Sequence, residues 1–179
     1  MIKAYIACSY VDRDLYEQIY SIVTGLGIEV TYRWVDHEPP PSGAERHMHR
    51  REQSEAEING VCAADILIVG LPGRFGTATE IGVALANETP VILFGKLDRD
   101  FVTGDPANIF LDHPLVQFCS EDPDDLCEDL TTAAERVILS NLAHLVRSQV
   151  KAPYDSWSTA EHRESLKRWT DAYDRLEGV

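Results

Sequence analysis

The segment from residue 64 to residue 86 most limits what this chain can fold into. It contains a short apolar run, Ile66–Val69, followed by a turn rich in Pro and Gly over 70–76 and then by a helical segment. A buried strand that passes through a tight turn into a helix is the repeating unit of parallel α/β sheets. Ligands of such sheets bind beyond the carboxyl ends of the strands, so we expect Glu80, in the first turn of that helix, to lie at a binding edge.

Strand-like and helix-like periods alternate along the rest of the sequence. The predicted strands span residues 2–8, 28–34, 65–69, 90–94 and 115–118, and the predicted helices span residues 12–26, 50–63, 78–87, 122–150 and 154–176. The segments 35–49 and 95–107 are predicted to be irregular loops. This order predicts an α/β fold, a doubly wound five-stranded parallel sheet flanked by helices and similar to the Rossmann and flavodoxin folds. Residues 1–150 would form this domain, and residues 151–179 a C-terminal helical extension of it.

The charge and cysteine content exclude several classes of function. Thirty acidic residues against sixteen basic ones give a formal net charge of −14, which repels nucleic-acid polymers and anionic membranes. No apolar run approaches the roughly 18 to 20 residues of a membrane span, and the first residues predict a strand rather than a signal peptide. The four cysteines form no CxxC pair, so neither a disulfide framework nor a zinc site is expected. We therefore expect a cytoplasmic protein.

Three phrases of the sequence carry a family resemblance. They are Tyr5–Tyr10, Glu57–Asp65, and Gly76–Ala86 followed by Pro90–Leu93. Together they resemble the nucleoside 2-deoxyribosyltransferase family and its nucleotide N-hydrolase relatives, over about residues 2–120. The resemblance implies an enzyme without a cofactor that acts on a small nucleoside or nucleotide.

The resemblance also implies roles for particular residues. In this family a glutamate at the position of Glu80 is the nucleophile, and an acid eight residues before the Asp that opens the third strand assists it. That acid is usually Asp, whereas this chain has Glu57, whose side chain is longer by one methylene. An asparagine after the fourth strand, Asn108 here, reaches the pocket of the neighbouring subunit. This implies a homodimer or higher homo-oligomer with shared active sites.

The chemistry of two carboxyl groups fits this reaction independently of the family. One carboxylate can stabilise the charge on the sugar or bond to its anomeric carbon, while a second carboxyl supplies the proton that the departing base needs. Glu57 precedes Val61 by four residues and Ala64 by seven, which places it on the helix stripe that faces the protein. Two simpler interpretations stay open. In the first, Thr77 and Glu80, which have the spacing of a capping box, form one at the helix start. In the second, Glu57 is a solvated acid at the edge of its helix.

The predicted substrate-binding residues follow the ends of the predicted strands. They are Ser9, Tyr10, Trp34, Gly73, Arg74, Gly76, Thr77 and Asn108. Ser9 and Tyr10 would hold the sugar or stack on the base, unless they are ordinary turn residues, and Trp34 would flank the base, unless it packs in the core.

Arg74 points to a phosphorylated substrate, because a guanidinium beside a helix amino end suits a phosphate, unless Arg74 is only a loose charge of the loop. Transferases of the family often carry an acid near this position, and the nucleotide hydrolases use a hydroxyl residue there to meet a 5′-phosphate. No metal site is expected at His47 and His49, because no third ligand is evident.

The leading hypothesis is cleavage and transfer at the N-glycosidic bond of 2′-deoxynucleosides or their 5′-monophosphates, through a glycosyl-enzyme intermediate on Glu80. One alternative is a nucleoside 5′-monophosphate N-glycosidase, in which water replaces the second base. Another arises because Tyr5–Asp14 and Ile28–Tyr32 also resemble the start of a TIR domain, which implies NAD cleavage or protein contacts. A non-catalytic nucleotide-binding domain is the remaining hypothesis.

Overall fold

In a computed structural model of the chain, the residues described are 1–37, 44–96, 111 and 113–151, without the side chains of residue 44 and residues 144–151. The five strands are β1 (Lys3–Ala7), β2 (Glu29–Val30), β3 (Ile66–Gly70), β4 (Val91–Phe94) and β5 (Val116–Cys119). The four α-helices are α1 (Arg13–Gly25), α2 (Ala44–Cys62), α3 (Phe75–Ala86) and α4 (Pro123–Lys151). A short 3₁₀ helix spans Trp34–Asp36.

The strands form one parallel sheet in the order β2-β1-β3-β4-β5. The predicted α/β fold, a doubly wound five-stranded parallel sheet, is therefore confirmed. The strand order reverses between β1 and β3, since the chain moves from β1 outward to β2 and then returns to the other side of β1. In folds of this class, the crevice at that reversal is where ligands bind.

The side chains of the central strands alternate between two buried faces, because both faces of a parallel sheet are covered by helices. Ala4 and Ile6 of β1 belong to a core that also contains residues of α1 and α4, among them Tyr16, Ile19, Leu126 and Leu130. The other face of β1, through Tyr5 and Ala7, belongs to a core with Val61 of α2 and with Ile81 and Ala84 of α3. Helices α2 and α3 therefore cover the face of the sheet to which the Tyr5 side chain points.

The helix boundaries differ from the prediction in two places that matter for the site. Helix α2 begins at Ala44, so the expected loop over 35–49 ends earlier. The three prolines stop at Pro41, and the residues that follow Gly43 are mostly good helix formers. Helix α3 begins at Phe75 rather than at residue 78, and Gly76 is accommodated within its first turn.

The chain divides into two compact units, residues 1–138 and residues 139–179. The first unit contains the sheet and its two cores. Of the second unit, the structure describes the end of α4, up to Lys151. The predicted C-terminal extension beyond residue 151 lies outside the described residues, and the expected domain boundary at residue 150 stays a prediction. Across the described ranges, no helix is both long and apolar enough to cross a membrane.

Candidate active site

The candidate site lies where β1 and β3 end side by side. Ala7 pairs with Val69 in the sheet register, so the residues after each strand emerge at the same edge. Ser9 and Tyr10 follow β1, and the turn after Gly70 leads into α3. This edge is the reversal point of the strand order, and the sequence-predicted residues of both turns are brought together there.

Glu80 is buried beneath this edge, in the second turn of α3. It is 8% exposed, and its Oε1 accepts a hydrogen bond of 2.8 Å from the Tyr5 hydroxyl. Tyr5 lies in the middle of β1 and is fully buried. The nucleophile predicted from sequence is thus a buried carboxyl held by a neutral donor from the neighbouring strand.

The environment of Glu80 raises its pKa to about 7. Burial is the largest cause, because an ionised carboxylate loses its hydration there. The hydrogen bond from Tyr5 acts in the opposite direction, and the charge of Glu57 raises the pKa further. Burial also raises the pKa of Tyr5, which keeps its hydroxyl protonated as a donor. Burial and the charge of Glu57 thus outweigh the Tyr5 hydrogen bond, and the pKa of the Glu80 carboxyl lies near neutral pH, a shift that is typical of functional sites.

The capping-box interpretation of Thr77 and Glu80 is wrong. Arg74 occupies the N-cap position of α3, so Thr77 is the third residue of the helix and Glu80 the sixth. The expectation that Glu80 lies in the first turn is wrong for the same reason, since that turn contains no acidic residue. The Glu80 side chain bonds to the neighbouring strand instead of to its own helix start.

Glu57 is a half-buried carboxyl on α2, and its charge acts on both Glu80 and Tyr5. Burial raises its pKa, and a hydrogen bond of 2.8 Å from Gln53 Nε2 to Glu57 Oε1 partly opposes that rise. A fully solvated helix-edge acid would not have its pKa raised by burial. Glu57 is therefore less deeply buried than Glu80, and its charge still raises the pKa of that carboxyl.

The residues after β1 differ in exposure. Ser9 is 3% exposed, and its Oγ has no hydrogen-bond partner in the described part of the chain. Tyr10 is 48% exposed, and its hydroxyl accepts a hydrogen bond of 3.3 Å from Arg13. The Tyr10 ring lies 5.8 Å from the Trp34 ring. A buried free hydroxyl and an exposed aromatic ring thus stand together at the site, and their contacts with a substrate stay predictions.

Trp34 packs in the core beneath Tyr10. It is 4% exposed, its Nε1 donates to the Ile6 carbonyl at 3.3 Å, and its ring meets Tyr16 edge-on at 5.1 Å. This is the simpler of the two interpretations that the sequence allowed. A contact of Trp34 with a base stays a prediction, and Tyr10 is the aromatic residue of this group that reaches the surface.

The turn before α3 presents backbone N–H groups and a cation. Arg74 is exposed at the N-cap without a side-chain cap, Gly73 is half-buried, and Gly76 is exposed. Thr77 is buried. Because the first helical N–H groups lack partners within the helix and no acid lies in this turn, this end of α3 favours an anion. Asn108 lies outside the described residues.

Sequence reasoning missed the roles of Tyr5 and Gln53. A tyrosine inside an otherwise apolar strand needs a hydrogen-bond partner when it is buried, and that was the available signal for Tyr5. Gln53 precedes Glu57 by four residues, the spacing of neighbours on one helix face. In the described ranges, no group of three or more His, Cys, Asp or Glu side chains is arranged to hold a metal ion.

Replacement of Glu80 should change how stability depends on pH. Because its pKa is higher in the folded protein than in the unfolded chain, Glu80 contributes stability at low pH that is lost as the pH rises through about 7. Glu80→Gln removes this titration and keeps an oxygen for Tyr5. We expect about 1 to 3 kcal/mol more unfolding free energy at about pH 9, and little change at about pH 5.

Urea denaturation at both pH values measures this effect. Glu52→Gln is the matched control, because Glu52 is an exposed glutamate of α2. An equal pH dependence of stability in wild type and Glu80→Gln would contradict a raised pKa of Glu80 in the folded protein.

One solved structure with a TM-score above 0.5 supports this fold, and two others have lower scores. A 2-deoxyribosyltransferase from Bacillus psychrosaccharolyticus is 18% identical, with a TM-score of 0.54 over 70% of this chain and 90% of that chain. A CMP N-glycosidase from Clostridium botulinum is 14% identical, with a TM-score of 0.48 over 72% and 98% of the two chains. A conserved protein from Enterococcus faecalis is 21% identical, with a TM-score of 0.48 over 74% and 98%.

The comparison with curated proteins finds no significant match. The model of the nucleoside 2-deoxyribosyltransferase family matches residues 4–129, which is well over half of the chain and includes Tyr5, Glu57 and Glu80. On this match, the chain belongs to the nucleoside 2-deoxyribosyltransferase family.

Proposed function

We propose that this protein cleaves the N-glycosidic bond of 2′-deoxynucleosides or their 5′-monophosphates and transfers the sugar through a covalent intermediate on Glu80. The observation that carries the proposal is the buried Glu80 carboxyl, held by Tyr5 at the reversal point of the sheet and influenced by Glu57. Membership in the nucleoside 2-deoxyribosyltransferase family supports the same reaction class. Of the two family resemblances in the sequence, the family match supports this one rather than the TIR domain.

In the first step Glu80 attacks the sugar. Tyr5 holds Oε1, so the other carboxylate oxygen is available to form a bond with the anomeric carbon. As this bond forms, the bond between that carbon and the base nitrogen breaks, and its electron pair leaves with the base. The transition state resembles an oxocarbenium ion, and a carboxylate in a poorly hydrated site stabilises that positive charge strongly.

Glu57 provides the proton that the departing base needs. Its raised pKa increases the fraction that is protonated, and Gln53 fixes one of its oxygens. The proton moves from Glu57 to the base as the glycosidic bond breaks. In the second step a different base attacks the anomeric carbon, Glu80 leaves as a carboxylate, and Glu57 recovers a proton from the incoming base. Two displacements at one carbon retain its configuration.

The residues around the carboxyl pair bind the remainder of the substrate. Tyr10 provides an aromatic face for the base, and the free hydroxyl of Ser9 provides a polar contact. Arg74 and the amino end of α3 favour a 5′-phosphate. This last observation favours a second candidate function, hydrolysis of nucleoside 5′-monophosphates, in which water takes the place of the second base. Asn108 completes the pocket of a neighbouring subunit in a homodimer or higher homo-oligomer.

The first test compares products from several substrates. The purified protein is incubated with a deoxynucleoside and a different free base, and separately with deoxynucleoside monophosphates and with NAD, and products are separated by chromatography. A new nucleoside establishes the transferase, and free base with deoxyribose 5-phosphate establishes the hydrolase. We expect Glu80→Ala to lower turnover by about 10⁴-fold or more, because it removes the nucleophile.

Cleavage of NAD alone would contradict the proposal and support the TIR-like alternative. Binding of nucleotides without any turnover by the folded protein would support the non-catalytic alternative.

Wild-type kcat/KM should fall as the pH drops below about 7, because Glu80 must be ionised to attack.

Replacement of Glu57 should matter most for substrates whose base leaves poorly. We expect Glu57→Gln to lower kcat by about 10²- to 10⁴-fold with an ordinary base, because the general acid is lost. With a base that leaves readily without a proton, the loss should be much smaller. Glu55→Gln, an exposed glutamate of the same helix, is the control. An equal loss for both kinds of leaving base would argue against proton donation by Glu57.

Arg74 should discriminate between phosphorylated and unphosphorylated substrates. We expect Arg74→Gln to raise KM for a deoxynucleoside monophosphate by about 10- to 100-fold, as for a lost charge-assisted hydrogen bond. KM for the matching deoxynucleoside should stay within about twofold, since no phosphate contact is lost. Arg51→Gln, on the exposed surface of α2, is the control. An unchanged KM for the monophosphate would show that Arg74 does not bind the phosphate.

A further inference from the structure

Gly60 lets helix α2 approach Tyr5 and Tyr32 more closely than any other residue would. It is buried in α2, and a Cβ placed on it would lie 2.9 Å from Cδ2 and Cε2 of the Tyr5 ring. The same Cβ would lie 2.9 Å from Cβ of Tyr32. These distances are shorter than carbon atoms in contact adopt, so any side chain at this position must displace the ring or the helix.

The Tyr5 ring that packs on Gly60 is the ring whose hydroxyl holds Glu80. Its Oη lies 2.8 Å from Glu80 Oε1, and the whole side chain is buried. A buried ring has no free volume into which it can move without cost. Pressure on its Cδ2 and Cε2 edge is therefore transmitted to the hydroxyl at the end of the same rigid ring.

Gly60 is also one turn of α2 away from Glu57, so its packing fixes the depth at which that carboxyl sits. The helix is tied to the sheet at this level, because Thr31 Oγ1 donates to the Gly60 carbonyl at 2.8 Å. Thr31 in turn donates its backbone N–H to Ala4 of β1 at 2.9 Å. One short segment of α2 thus contacts the support of Glu80 and carries Glu57.

We propose that Gly60 is a positioning residue for the reaction. Because it has no side chain, α2 packs directly on the Tyr5 ring, and this contact sets the position of the Tyr5 hydroxyl at Glu80 and the position of Glu57 on α2. This inference rests on the proposed function, because it assigns a purpose to the contact between α2, which carries Glu57, and the Tyr5 ring, which holds Glu80. The sequence by itself does not indicate this role, because local propensity says only that a glycine weakens a helix and not what the glycine packs against.

Gly60→Ala tests the proposal. We expect kcat to fall by about tenfold or more with KM changed by less than about threefold, because the substrate pocket is intact while the nucleophile is displaced. The acid limb of the kcat/KM profile should move to higher pH, since a longer Tyr5 hydrogen bond lowers the pKa of Glu80 less. Gly25→Ala is the matched control, because a Cβ there meets nothing within 4 Å.

A double-mutant cycle with Tyr5→Phe identifies the path of the effect. If Gly60 acts through Tyr5, Gly60→Ala should cost much less in the Tyr5→Phe background than in wild type. Effects that multiply independently in the double variant would overturn the proposal. So would a Gly60→Ala protein with wild-type kcat and an unshifted acid limb.

An NMR titration of Glu80 and a second variant, Thr31→Val, cover the cases in which the wild-type protein is inactive or Gly60→Ala does not fold. Titration of the Glu80 carboxyl by NMR needs no turnover, so an inactive wild-type protein would refute the proposed function while the shift caused by Gly60→Ala would still be measured. If Gly60→Ala does not fold, Thr31→Val loosens the same contact by removing the donor to the Gly60 carbonyl. We expect a smaller shift in the same direction, and no shift in Thr31→Val would overturn the proposal.

Discussion

The hydrogen bond from Tyr5 to Glu80 is the interaction on which the candidate site depends. A carboxyl group buried to this degree destabilises the fold unless a donor satisfies it. A lysine or arginine would satisfy it by holding it permanently ionised and paired, which would suppress its reactivity. A neutral phenol satisfies it without neutralising its charge. The carboxyl therefore remains buried, oriented and able to lose its proton near neutral pH.

The sheet order is what makes this bond possible. Tyr5 belongs to β1, and Glu80 belongs to the helix that follows β3, the neighbouring strand. Tyr5 points to the face of the sheet that α2 and α3 cover, because side chains alternate along a strand. Glu57 reaches the same region from α2. Three elements that are distant in sequence thus contribute to one site because the strand order reverses between β1 and β3.

The two carboxyl groups of the candidate site differ in their surroundings. Glu80 is deeply buried and accepts its hydrogen bond from another element, whereas Glu57 is half-buried and accepts one from Gln53 on its own helix. The close contact of Gly60 with Tyr5 links these environments physically, because the helix that carries Glu57 packs on the ring that holds Glu80.

What the sequence determined by itself was the order of the elements, the family, and the presence of Glu57 and Glu80, because periodicity and motif spacing are properties of neighbouring residues. The start of α3 was less predictable, since the spacing of Thr77 to Glu80 also allowed a capping box, and packing decides which residue caps a helix. The tertiary structure decided which partner each carboxyl has and how deeply it is buried. Tyr5 and Glu80 are 75 positions apart, and no local pattern specifies that they meet. Trp34 likewise could flank a base or fill the core, and only the packing of α1 against the sheet placed it in the core.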